Sequence, residues 1–101
     1  MIRGTTPKLT FKLGIRPSRF QALYITAKQG GNVVFERSLS GMNASDSQST
    51  VDFRLTQEET LRMSDKSPVY LQARGVLTDG NVVASDRLQA SVSGILKEGI
   101  I

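Results

Sequence analysis

Apolar and polar residues alternate one for one in several separate stretches of this chain, and turn-forming residues stand between those stretches. In residues 7–13 (PKLTFKL), Leu9, Phe11 and Leu13 are separated by single polar residues. A repeat of two residues is typical of a β-strand with one buried face, because successive side chains point to opposite faces of a sheet. The further strand-like stretches are residues 22–29, 33–39, 50–55, 69–77 and 82–92. The chain is therefore predicted to fold from short strands.

Two of the connections between these stretches are typical of β-hairpins. Residues 30–32 (GGN) and residues 79–81 (DGN) each stand between two predicted strands. Glycine and asparagine tolerate the positive φ that tight hairpin turns require. The hairpins so predicted join residues 22–29 to 33–39, and residues 69–77 to 82–92.

The other connections are predicted to be loops, with one short helical turn among them. Thr56 is followed three residues later by Glu59, which is the pattern of a capping box at the start of a helix. We expect this turn to span about residues 56–62 and to end before Pro68. Residues 14–20 are predicted to form a connecting loop, and the polar residues 40–50 (SGMNASDSQST) to form a mobile loop.

The length and the order of these elements predict a single domain of the all-β class. A chain of 101 residues is the size of one domain, and about seven strands with turns between them suggest an antiparallel β-sandwich or a small barrel. A helical turn before a long strand and a final hairpin is similar to the second half of an immunoglobulin-like sandwich. We therefore expect one immunoglobulin-like domain over residues 1–101. Residues 94–101 are expected to form a C-terminal tail that continues from the last strand.

The tail also fits a second interpretation, because Leu88, Val92, Ile95 and Leu96 would lie on one face of a helix. We favour the extended tail. The alternation of the strands selects the core residues, which are predicted to be Leu9, Phe11, Leu23, Ile25, Val33, Phe35, Val51, Phe53, Leu55, Val69, Leu71 and Leu88.

The composition argues against catalysis. The chain has no histidine and no cysteine, so it lacks the commonest general base, the commonest metal ligand and any thiol nucleophile. Glu58 and Glu59 are explained by the start of the helical turn, and Asp79 by the hairpin. Asp86 would need Arg74 or Arg87 as a partner if it pointed inward, and we expect a bulge or an exposed edge to place it in water instead. We predict a non-enzymatic protein with no catalytic, cofactor-binding or metal-binding residues.

The positive charge is concentrated in the N-terminal third. Six basic residues precede Glu36, the first acid, although the net charge of the whole chain is +4. Such asymmetry favours either solvated strand faces or a surface for an anionic polymer, such as nucleic acid or cell-wall material. Only Tyr24 and Tyr70 are predicted on outer faces where bases could stack, so nucleic acid is not the expected partner.

Three segments resemble small, uncharacterised proteins encoded in prophages of Gram-positive bacteria. They are residues 1–13 (MIRGTTPKLTFKL), residues 51–60 (VDFRLTQEET) and residues 91–101 (SVSGILKEGII), whereas the loop at residues 40–50 does not match. The layout is also similar to the N-terminal β-sandwich modules of phage baseplate proteins. The resemblance implies a structural or assembly protein of the tail or baseplate region. Such a protein would be found in the host cytoplasm during assembly or in the virion. The resemblance identifies no catalytic residues in this chain.

Two segments are predicted to bind partners, which would be other phage structural proteins or further copies of this chain. Residues 7–13 should form an edge strand, because Pro7 and the lysines are typical of edges, and Lys8, Thr10 and Lys12 would meet the partner. The second segment is the apolar tail, because large apolar residues are costly to leave in water. Its predicted contact residues are Ile95, Leu96, Ile100 and Ile101. No small-molecule substrate and no membrane insertion are expected.

Overall fold

The chain forms eight strands, one short α-helix and two 3₁₀ turns in a computed structural model that describes residues 1–101. The strands are β1 (Lys8–Lys12), β2 (Phe20–Gln29), β3 (Asn32–Ser38), β4 (Asn43–Ser45), β5 (Thr50–Arg54), β6 (Val69–Leu77), β7 (Val82–Ala84) and β8 (Leu88–Ala90). Helix α1 spans Gln57–Leu61, and the 3₁₀ turns span Pro17–Arg19 and Leu39–Gly41.

The strands form two antiparallel sheets. One sheet has the order β1-β5-β4, and the other has the order β3-β2-β6, with β7 and β8 both paired to the far side of β6. A single cluster of 17 buried apolar side chains contains residues from both sheets. The prediction of an all-β sandwich is therefore confirmed.

The strand order follows that of an immunoglobulin domain from its second strand onward. In the variable type, strands B, E and D form one sheet, and strands C′, C, F and G form the other, with strand A beside strand B. Here β1 stands in the place of strand B, and no strand occupies the place of strand A, because β1 pairs only with β5. The residues before β1 do not occupy the place of strand A, because Ile2 forms a parallel bridge with Ser93.

The predicted capping box at the start of α1 is present. The Oγ1 atom of Thr56 accepts a hydrogen bond from the amide of Glu59 at 3.1 Å. The carboxylate of Glu59 in turn accepts one from the amide of Thr56 at 2.9 Å. Two amides that no helical carbonyl can reach are thus satisfied. This explains why the chain leaves β5 and turns at residue 56.

We expect Thr56→Ala to lower the free energy of unfolding by about 1 kcal/mol, because the amide of Glu59 loses its acceptor. Thr56→Ser keeps that acceptor and serves as the matched control. Urea denaturation followed by circular dichroism measures both. Equal stability of the alanine and serine variants would show that the cap does not stabilise the fold.

Two of the twelve predicted core residues are exposed, and in each case an irregularity changes the strand register. A bulge between Ala27 and Lys28 in the β2–β3 pairing makes Val34 buried and leaves Val33 on the outside. Leu88 is 51% exposed, because the chain breaks between β7 and β8. The prediction is wrong for these two residues. The remaining predicted core residues are buried, apart from Leu9, which is half-buried against the core.

Three predicted segment boundaries also differ from the structure. Residues 40–50 do not form a single loop, because β4 pairs with β5 and Met42 enters the core. Phe20 is not a loop residue but begins β2, with a buried side chain. The predicted strand at residues 82–92 is split into β7 and β8. In each case, pairing or packing with a distant segment sets the boundary, and the local sequence pattern does not specify it.

The C-terminal tail, residues 94–101, is neither helix nor strand. Its first part lies near the N-terminus, where a Cβ atom built on Gly4 would be 2.9 Å from Cδ1 of Ile95. Its last part lies beside α1, where the side-chain amide of Gln57 exchanges two hydrogen bonds with the backbone of Ile101. The helical interpretation of the tail is therefore wrong, and the strand before it does not continue into the tail.

Candidate strand-docking site

The open side of β1 is an unpaired sheet edge. Backbone hydrogen bonds join Leu55 to Pro7 at 3.0 Å and Leu13 to Ser49 at 2.8 Å, which sets the odd-numbered residues of β1 toward β5. Hydrogen-bonding directions alternate along an antiparallel strand. The amide and carbonyl groups of the even-numbered residues therefore point away from β5. These residues are Lys8, Thr10 and Lys12. The prediction that residues 7–13 form an edge strand is confirmed.

The side chains of this edge divide into a charged outer face and an apolar inner face. Lys8 and Lys12 are exposed, and Nζ of Lys8 lies 3.9 Å from a carboxylate oxygen of Asp52. Phe11 points inward, and its ring stacks on that of Phe53 with the centroids 6.1 Å apart. A strand added here would thus find free hydrogen-bonding groups beside β1 and apolar side chains beneath it.

A cleft of about 390 Å³ lies along this open side, between β1 and the β7–β8 segment. Lys12 lies on its β1 side, and Asp86 lies on its β7–β8 side. Nine of its fourteen lining residues are hydrophobic. They are Phe11, Leu13, Ile15, Phe20, Leu23, Ala73, Val83, Ala84 and Leu88. In an immunoglobulin domain, strand A lies beside strand B at this edge.

The lining of the cleft includes the contact between Phe20 and β6. A Cβ atom built on Gly75 would lie 2.6 Å from the ring of Phe20 and 2.8 Å from the carbonyl oxygen of Ala22. Only glycine lets the aromatic ring approach β6 so closely. The sequence analysis missed this part of the site. The available signal was a glycine inside a long strand pattern, which often marks close approach of other atoms.

The far side of the cleft is formed where the last strand is interrupted. Ser85 forms two hydrogen bonds with Ala73 in place of a regular strand pair. The Oγ atom of Ser85 accepts from the amide of Ala73 at 3.0 Å, and the amide of Ser85 donates to the carbonyl oxygen of Ala73 at 2.9 Å. Asp86 then points into solvent, as expected of a bulge or an exposed edge. The edge opposite β1 is therefore short and irregular.

The four predicted tail residues lie away from the cleft. Ile95 is half-buried, whereas Leu96, Ile100 and Ile101 expose more than half of their surface. The tail contacts α1, which follows the end of β5 that pairs with Pro7. The cleft borders the other end of β1, at Leu13 and Ile15. The structure thus does not bring the two groups of predicted partner-binding residues together within one molecule.

The basic residues of the N-terminal third do not form one common surface. Nη1 of Arg3 lies 2.5 Å from Oε1 of Glu98, and Lys8 lies near Asp52. Arg16 is close enough to Asp46 to contribute to its lowered pKa, which the hydrogen bonds from Ser18 lower most. β1 and β2, which hold other basic residues of this region, belong to different sheets. Three of the six basic residues thus lie near an acid, and the other three are distributed over β1, β2 and the 3₁₀ turn Pro17–Arg19.

An ion pair with shifted pKa values, formed by Arg37 and Glu59, is part of the framework between β3 and α1. Both guanidinium nitrogens Nη1 and Nη2 of Arg37 donate to the carboxylate of Glu59, at 2.7 and 2.6 Å. The hydrogen bonds from Arg37 hold the pKa of Glu59 below its ordinary value. Neither residue lines the cleft. Their contacts fix α1 against the sheet, which is a structural task.

No group of three or more His, Cys, Asp or Glu side chains is arranged to hold a metal ion. None of the helices has the length and the hydropathy needed to cross a membrane. Comparison with known proteins finds no family model and no curated protein that matches this chain.

Proposed function

We propose that this chain is a non-enzymatic docking protein that binds an extended segment of a partner protein at the open edge of β1. The unpaired edge of β1 beside the apolar cleft is the observation that supports the proposal. An added strand would gain main-chain hydrogen bonds from Lys8, Thr10 and Lys12, and its inward side chains would fill the cleft. The place that strand A takes in an immunoglobulin domain would then be filled by the partner.

The charges at this edge set its selectivity. Lys8 and Lys12 flank Thr10 on the outer face, so a partner strand with acids opposite them is favoured. A second β1 would place lysines close to lysines and is disfavoured for the same reason. The edge is therefore suited to a specific partner and protected from uncontrolled pairing.

The setting that we propose for this docking is the assembly of a phage tail or baseplate. The resemblance of residues 1–13, 51–60 and 91–101 to prophage-encoded proteins supports it. Sequencing of the genes on either side tests this setting. Tail and capsid genes as neighbours are the expected result, and neighbours from an unrelated metabolic operon would contradict it.

We expect a random-peptide library displayed on yeast to yield ligands with alternating apolar residues and at least one acid. The Thr10→Pro variant should not bind these ligands, because the proline ring occupies the space beside the edge and proline has no amide hydrogen to donate outward. The amide of Thr10 points away from β5, so the substitution leaves the pairing with β5 intact. Thr10→Val retains the amide and is the matched control.

Two results would contradict the docking proposal. The first is the absence of any enriched peptide, and the second is equal binding of the enriched peptides to the valine and proline variants. A titration with single-stranded DNA at two salt concentrations tests the anionic-polymer alternative. Binding that weakens steeply with salt and is unaffected by Thr10→Pro would favour that alternative instead.

A further inference from the structure

We infer that the strand that docks on β1 is residues 94–101 of a second copy of this chain, so that copies join head to tail. This inference rests on the proposed function, because it names the occupant of the same edge and cleft. It makes the tail of one molecule the missing strand beside β1 of the next.

Most of the main chain of the tail is free to pair, because only Ile101 and Glu98 have backbone groups bonded to side chains. No backbone–backbone hydrogen bond involves residues 94–101. Leu96 is fully exposed, and Ile100 and Ile101 are 60% and 88% exposed. The tail therefore combines free amides and carbonyls with apolar side chains, and the β1 edge with its cleft offers the same combination. Each would satisfy the groups that the other leaves in water.

The direction of the chain prevents a molecule from filling its own cleft in this conformation. β8 runs antiparallel to β6 and pairs Leu88 with Leu71 and Ala90 with Val69, so it leads away from Gly75 and the cleft. The bridge between Ser93 and Ile2 then fixes the start of the tail at the far end of the sheet. The strand distance from Val69 to Gly75 is about 20 Å, at about 3.3 Å per residue.

The contacts that hold the tail in the isolated chain are few and superficial. They are the ion pair between the exposed carboxylate of Glu98 and Arg3, the two hydrogen bonds that Gln57 and Ile101 exchange, the packing of Ile95 near Gly4 and the close approach of Asp65 to Gly94. Surface ion pairs of this kind contribute little to stability. The end of the tail can therefore leave α1 at small cost when a neighbour offers a sheet edge.

The charges of the tail match those of the cleft. In an extended strand, Glu98 lies between Leu96 and Ile100 on one face, whereas Lys97 lies between Ile95 and Gly99 on the opposite face. The cleft carries Lys12 on one side and Asp86 on the other. Whichever face turns inward, its central charge meets an opposite charge at the rim. Pairing of two β1 strands has no such compensation.

The two complementary surfaces are different parts of the chain, so the contact is heterologous. Such contacts generate rings if the rotation closes and filaments if it does not. Each added copy uses one of these two surfaces to join and leaves the other free for the next copy. This is the geometry required of a subunit that builds a repeated assembly.

Two full-length variants test the inference as a pair. Thr10→Pro blocks the receiving edge and keeps the tail, whereas the triple variant Leu96→Ser/Ile100→Ser/Ile101→Ser weakens the tail and keeps the edge. All three residues of the triple variant are exposed in the isolated chain, so its fold should be unchanged. Sedimentation velocity across a 100-fold concentration range gives the mass of each species.

We expect the unaltered chain to form a concentration-dependent series of oligomers and each variant alone to be a monomer. A mixture of Thr10→Pro with the unaltered chain should shorten the oligomers, because the proline variant can occupy an edge but cannot receive a tail. The serine variant should also shorten them, because it can receive a tail at its edge but cannot donate one. Circular dichroism checks that both variants are folded, and Thr10→Val should assemble like the unaltered chain.

Hydrogen exchange on the unaltered chain provides a second measurement that needs no substitution. The amides of Lys8, Thr10 and Lys12 should exchange fast in dilute solution and at least tenfold slower in the assembled state. The amides of residues 96–100 should slow in parallel.

A chain that remains a monomer throughout the concentration range would overturn the inference. So would a serine variant that oligomerises normally, since that would show pairing without the tail. In either case, peptide ligands that still require the edge at Thr10 would leave the proposed docking function standing. Loss of both the ligands and the oligomers would reject the two together.

Discussion

Phe53→Ala is expected to lower the free energy of unfolding by about 4 kcal/mol, within the range for removing a buried phenylalanine ring. Phe53 is 4% exposed and stacks on Phe11. Its ring also meets the edge of Phe35, with the centroids 5.8 Å apart. Because Phe11 lies on β1 and Phe35 on β3, the substitution removes contacts with both sheets. A loss of this size is a large fraction of the roughly 5–15 kcal/mol that stabilises an ordinary domain.

Val33→Ala is the matched control for this result. The alternation of residues assigns Val33 to the core, but the bulge leaves it 56% exposed. We therefore expect a change within about 0.5 kcal/mol, as for other surface substitutions. Urea denaturation of both variants measures the difference. A strongly destabilised Val33→Ala would show that Val33 is buried and that the bulge in the β2–β3 pairing is absent. A nearly neutral Phe53→Ala would show that the buried face of β5 is assigned wrongly.

Arg37→Met is expected to destabilise the fold by about 3 kcal/mol, because it leaves the largely buried carboxylate of Glu59 without its cation. The side chains of Arg37 and Glu59 are 19% and 12% exposed. The guanidinium carbon of Arg37 also lies 5.7 Å from the centre of the Phe35 ring and 5.4 Å from that of Phe53. The methionine retains an apolar stem beside these rings, so the substitution chiefly removes the charge.

Glu59→Gln separates the ion pair from the helix cap. Glutamine can still accept a hydrogen bond from the amide of Thr56, as in other capping boxes. We expect it to cost about 1–2 kcal/mol, and the double variant with Arg37→Met to cost less than the two single changes together. Additive losses would mean that the two side chains are not coupled.

The ion pair between Arg37 and Glu59 makes the free energy of unfolding depend on pH in the acidic range. The pKa of Glu59 is lower in the folded chain than its ordinary value, chiefly because Arg37 donates hydrogen bonds to it. Its contribution is therefore complete above the ordinary pKa of a glutamate, about 4.3. It is lost as the pH falls through the lowered value. Unfolding midpoints measured between pH 7 and pH 2 should fall less for Glu59→Gln than for the unaltered chain, and equal slopes would contradict this assignment.

The edge strand, the helix cap and the sandwich could be predicted from the sequence because each depends on local chemistry. The alternation of Leu9 and Phe11 with polar residues defines a strand with one buried face, and Pro7 places it at an edge. Thr56 and Glu59 are three residues apart, so their hydrogen bonds form whenever the turn does. The two hairpin turns order four of the strands. The helical turn before the last hairpin then favours a sandwich over a small barrel.

The cleft and the separation of the two predicted partner-binding segments could not be predicted in this way. A bulge shifts the register at Val34, and the interruption at Ser85 shifts it at Leu88, and both depend on pairing with a neighbouring strand. The close approach of Phe20 to Gly75 joins residues that are distant in the chain.

The sequence by itself thus determined where most of the strands lie, where the helix begins and which strand lies at an edge, because side-chain period and capping chemistry act over a few residues. Only the tertiary structure decided which faces remain buried past a bulge, where the cleft opens and that the tail of the chain lies far from it. Those features depend on packing between distant segments. A one-residue change of register reverses every side chain beyond it, and no local pattern specifies that change.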